Sequence, residues 1–158
     1  MKQLKRCIII GTIFVLILGT LSHFFYEWSN DNQIIGLFSP VNESVWEHMK
    51  LVFFPMLFYS IIAFQSLKNT WPCITSALPS GILTGTLLIP VIFYIYSGLL
   101  GKNNLILDIL TFILSVLAGF YVIYKLTVSC KAQKYTWLLW IVTSIFMILF
   151  FIRSYLTV

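Results

Sequence analysis

Two pairs of ionisable side chains recur at helical spacing near the start of the chain, His23 with Glu27 and Glu43 with Glu47. Residues four apart share a helix face, so each pair offers two ligands or proton carriers side by side. Imidazole and carboxylate donors from facing helices can build a metal site inside a bundle, and a divalent metal held there would activate water. That chemistry would belong to a hydrolase or transferase. The same groups could instead bind a cation or proton in a transporter or sensor, or only neutralise one another in an accessory bundle protein. Lys50 lies three residues beyond Glu47 on its face and supplies the counter-charge for that last case. Neither H-E-x-x-H nor the E-x-x-H of di-iron bundles occurs in the chain, so spacing by itself selects no reaction.

The remaining candidates are weaker. Asp108 follows the N-cap candidate Asn104 by one turn, where the helix dipole favours an acid, and Thr111, Ser115 and Gly119 continue its face. On one continuous helix His48 would lie about 140° from Glu43, which predicts that it stays out of their pocket. Asp31 sits in a polar loop and is expected to be solvated. Asn42-Glu43-Ser44 matches a glycosylation acceptor, but its predicted place in a first helical turn argues against use. The expected polar pocket is therefore His23, Glu27, Glu43, Glu47, Lys50 and Asp108, with His23, Glu27, Glu43 and Glu47 as the metal-ligand candidates.

What must position these groups is a set of membrane helices. The chain has 158 residues, of which 59% are hydrophobic and 9% charged, a composition that fits a lipid bilayer and not a soluble core. Five apolar runs are each about long enough to cross ~30 Å of hydrocarbon as helix. They cover 7–26, 45–65, 74–97, 105–124 and 135–155, with a polar loop at 27–42. The predicted fold is an all-α, single-domain membrane bundle spanning 1–158. The basic start followed by an apolar run resembles a secretion signal, but the run is too long and lacks a small-residue cleavage site, so an uncleaved first span is expected. The net charge of +5 comes from scattered residues without an aromatic-interleaved patch, and no nucleic acid partner is expected.

Basic residues accumulate on the cytoplasmic side of short loops. With the N-terminus inside, that side holds Lys2, Lys5, Arg6, Lys68, Lys125, Lys131 and Lys134, against Lys50, Lys102 and Arg153 elsewhere. The C-terminus then lies outside, and every acid and both histidines fall in the outer half. Cys7, Cys73 and Cys130 fall on the inner, reducing side, so no structural disulfide is expected. Ser39 and Pro40 read as the N-cap and first residue of the second span, and Pro55 should kink it. The third span carries Pro72, Pro79 and Pro90, and Gly81 and Gly85 should let it pack closely against another helix of the same chain.

The run His23-Phe24-Phe25-Tyr26-Glu27-Trp28, followed by Gly36-Leu37-Phe38-Ser39-Pro40-Val41-Asn42-Glu43-Ser44-Val45-Trp46-Glu47-His48-Met49-Lys50-Leu51, resembles an uncharacterised family of small bacterial polytopic membrane proteins. The resemblance implies a bacterial inner-membrane setting and no catalytic role. It covers the same segment that holds His23, Glu27, Glu43, Glu47 and His48.

Overall fold

The computed structural model describes residues 1–157, and among them it contains helices and no strand. Helix α1 runs Lys2–Trp28, and a short α2 (Gln33–Gly36) lies in the loop that follows. The second span begins with α3 (Val45–His48), breaks at Met49 and continues as α4 (Lys50–Leu67). The chain then forms α5 (Ile74–Leu100), α6 (Leu105–Ser129), a 3-10 turn at Gln133–Tyr135 and α7 (Thr136–Thr157). Five segments are long and apolar enough to cross a membrane: Lys2–Trp28, Val45–Leu67, Ile74–Leu100, Leu105–Ser129 and Gln133–Thr157. They overlap the five predicted runs and extend them by a turn or less at most ends, because an apolar window misses the polar residues that begin and end a helix.

Three helix starts, those of α2, α3 and α6, carry a side-chain cap. Asn104 Oδ1 accepts from Ile106 N and Leu107 N at the head of α6, as its position before the apolar run predicts. Ser39 does not cap the second span. Ser44 does, its hydroxyl accepting from Glu47 N at 3.3 Å, so Pro40 lies in the loop and helix begins only at Val45. The signal that separates the two serines is Ser44 followed by Glu47, the S-x-x-E spacing of a helix start.

The bundle core lies around α4, whose Val52, Phe53, Phe54 and Met56 are buried almost completely. Aromatic packing ties α4 to α7, with Phe150 against Phe53 at 5.1 Å and Phe54 stacked on Phe151 at 5.7 Å. Two of the prolines leave carbonyls that a neighbour covers. Opposite Pro79, Thr75 O accepts from Trp140 Nε1 of α7 at 2.9 Å. Opposite Pro55, Leu51 O faces Gly19 of α1 so closely that a Cβ on Gly19 would sit 2.5 Å from it.

Gly81 and Gly85 meet α6 of the same chain, the packing their spacing predicts. A Cβ on Gly81 would lie 2.6 Å from Gly119 O, and one on Gly85 would lie 3.0 Å from Ser115 O. Only a residue without a side chain lets two backbones approach this far. Gly85→Leu is therefore expected to force α5 and α6 apart and lower the melting temperature in detergent by several degrees. Thermal scanning of the purified variant checks it, and a wild-type midpoint would contradict the packing.

The cysteine expectation is overturned as well. Cys73 and Cys130 are disulfide-bonded, with Cα atoms 5.2 Å apart, while Cys7 is free. The antiparallel pairing of α5 and α6 brings the residue just before α5 level with the residue just after α6, 57 positions later. The compartment argument from the basic residues carried no information on this pairing.

Candidate functional site

The six residues expected to share one pocket do not gather together: Glu47 pairs with Lys50, Glu43 meets His23, and Glu27 and Asp108 belong to neither contact. Glu47 and Lys50 form a buried ion pair, with side chains 1% and 0% exposed. The Lys50 ammonium donates to Glu47 Oε2, to Ser154 Oγ of α7, to Gly36 O at 2.9 Å and to Ser39 O at 3.2 Å. Glu47 Oε2 also accepts from Val41 N at 3.1 Å. Charges this far from water are tolerated only when paired and hydrogen-bonded; loop carbonyls and α7 serve the ammonium, while Glu47 Oε1 is buried without a partner. The pair thus fastens the loop from Gly36 to Val41 onto α4 and α7.

The other group gathers at Glu43. Its carboxylate lies 3.6 Å from His23 Nε2 and 3.3 Å from His48 Nε2, with a side chain 82% exposed. Together the three residues offer one ligand atom each, all within 4.8 Å of one another. The two imidazole rings lie 5.4 Å apart. Tetrahedral coordination with bonds near 2.0 Å needs donors roughly 3.3 Å apart; the two Glu43 contacts are near that value but use different oxygens, Oε1 toward His23 and Oε2 toward His48, so the side chains would have to adjust around an ion. His48 Nδ1 lies 2.9 Å from Ser44 O. When Nδ1 carries the proton and donates it there, Nε2 keeps the lone pair that a metal requires. His23 Nδ1 is buried without a partner.

His48 therefore joins the cluster from which its helical angle excluded it. The angle assumed one continuous helix, whereas Glu43 precedes the Ser44 cap and lies in irregular backbone. Glu27 is exposed and stands outside the three-residue group, although it lines a neighbouring cavity with His23, Asn42 and Glu43. Asp31 is exposed, as expected. Asp108 lies elsewhere on the rim. It accepts a hydrogen bond on Oδ1 from the Tyr96 hydroxyl of α5, which holds the carboxylate in place.

A cavity of about 170 Å³ lies between Glu43, His48 and Asp108. Its polar lining residues are Glu43, His48, Asn103, Asp108 and Thr111, and its apolar ones are Val45, Leu51, Ile89, Phe93 and Phe112. Asp108 therefore lines the same cavity as Glu43 and His48.

Fold and site together describe an all-helical protein with five potential membrane spans and a histidine–carboxylate cluster beside the first two. The chain belongs to DUF6512, a family of unknown function, which matches residues 1–157. No curated protein and no solved structure matches it.

Proposed function

We propose that this is a membrane protein that binds a divalent transition metal through His23, Glu43 and His48 and uses it to activate water. The convergence of those three ligand atoms within 4.8 Å carries the reading. Three protein donors leave one tetrahedral position free, the arrangement of catalytic zinc sites and not of closed structural ones. Mixed nitrogen and carboxylate donors favour zinc and its neighbours over magnesium or calcium. Asp108 lines the same cavity as Glu43 and His48 and is the carboxylate that would take the proton from the activated water, which supports a hydrolase or transferase class. A packing role alone fits poorly with Glu43, because a carboxylate 82% exposed contributes little to stability. The packing charge in this region is the Glu47–Lys50 pair.

The test is elemental analysis of protein purified without chelator. About one equivalent of zinc or a similar ion per chain is expected, removable by chelation and restored by titration. Metal-free protein that takes up no zinc, cobalt or manganese sinks the proposal.

The site is proposed to face outward in a bacterial cell membrane, with the N-terminus in the cytoplasm and the C-terminus outside. The excess of basic residues at the opposite end of the bundle supports this. A reporter that works only after export should be active when fused at Thr157 and silent at Lys131. The reverse reporter pattern would turn the whole assignment over.

A further inference from the structure

We propose, building on the metal-binding reading, that the cavity takes a neutral amphiphile, with a carbonyl-type polar group toward the metal and a short apolar portion against Phe93 and Phe112. Three observations carry this. The first is charge: the ionisable groups lining the cavity are Glu43, Asp108 and His48, and among the described residues no lysine or arginine lines it. A divalent ion would cancel the two carboxylates, leaving a site with no net charge to attract an anion. Sites built for phosphate present arginine, lysine or helix N-terminal amides to its oxygens, and the carboxylates here do the opposite. Lys50 cannot help, since its ammonium is spent on Glu47, Ser154 and two loop carbonyls. Lys102 is exposed in the α5–α6 connection and is not a lining residue.

The second observation is polarity and size. Polar and apolar residues share the lining equally, the apolar ones being Val45, Leu51, Ile89, Phe93 and Phe112. A volume of about 170 Å³ is close to that of an apolar cavity that holds benzene, roughly 150 Å³. The enclosed part of the ligand is therefore about half a dozen heavy atoms, with any longer chain outside. The third is the state of Asp108. Tyr96 occupies Oδ1, which leaves Oδ2 to accept from the ligand.

A hydroxamic acid is a suitable probe because it enters neutral. When its oxygen ligates the metal, its O–H bond breaks and the proton passes to Asp108, so the filled site remains neutral.

The experiment uses full-length protein in detergent loaded with cobalt(II), whose visible bands report ligation directly. Hexanohydroxamic acid is expected to perturb those bands saturably and at least tenfold more tightly than acetohydroxamic acid. Hexyl phosphate and inorganic phosphate should leave them unchanged at the same concentrations. Asp108→Asn should weaken hexanohydroxamic acid about tenfold while retaining the cobalt spectrum. If cobalt binds but hexyl phosphate perturbs it as strongly, or chain length makes no difference, this inference is overturned and the metal site stands. If the protein acquires no cobalt spectrum, both fall together.

Discussion

Lys50→Ala is expected to cost on the order of 3–5 kcal/mol of stability, the range for removing one partner from a buried ion pair. The loss would exceed that of an ordinary core truncation because four acceptors depend on this ammonium: Glu47, Ser154, Gly36 O and Ser39 O. Without it, the Glu47 carboxylate stays buried with only Val41 N as donor, and the loop loses its anchor to α4 and α7. A paired substitution, Lys50→Met with Glu47→Leu, removes both charges at similar volume and should recover part of the loss. Recovery falls short of complete because the loop carbonyls still lack a donor. Thermal or denaturant unfolding in detergent measures all three proteins, and equal stability of Lys50→Ala and wild type would refute the buried network.

The second large effect is on metal binding, and it should separate the two charge groups. His48→Ala or Glu43→Gln removes a proposed ligand and should weaken zinc at least ~100-fold, since even the groups that orient ligands are worth roughly 10–100-fold. Neither should lower the stability of the metal-free protein much, because both side chains lie at the rim. Glu47→Gln should do the reverse. It keeps the shape, removes the charge opposite Lys50 and lowers stability, while zinc binding in the folded fraction stays within a few-fold of wild type. Competition with a chromophoric chelator gives the affinities, and unfolding of the same preparations gives the stabilities. An equal loss of zinc in Glu47→Gln and His48→Ala would show that the carboxylates act as one pocket after all.

The helical spans were legible in the sequence because the bilayer imposes a one-dimensional requirement. About twenty consecutive apolar residues must satisfy their own backbone, and only a helix does so within a single segment. The same local logic reached Asn104 as a cap and the glycines of α5 as a contact with another helix, which the structure identifies as α6. It also singled out His23, Glu43 and Asp108 as candidates, since an ionisable group at a span end is conspicuous against so apolar a background.

Which of those groups meet was decided only in three dimensions. The position of a side chain about a helix axis means nothing until the helix start is known, and moving that start from Pro40 to Val45 brought His48 to Glu43. Lys50 finds Ser154 across 104 residues, and Cys73 finds Cys130 across 57. Contacts at such separations follow from how helices dock, which depends on small residues and aromatic shape spread along several spans. No local pattern encodes them. Composition and periodicity thus determined that this chain forms membrane-compatible helices, while tertiary packing decided that Glu47 would be buried with Lys50 and that Glu43 would remain exposed between two histidines.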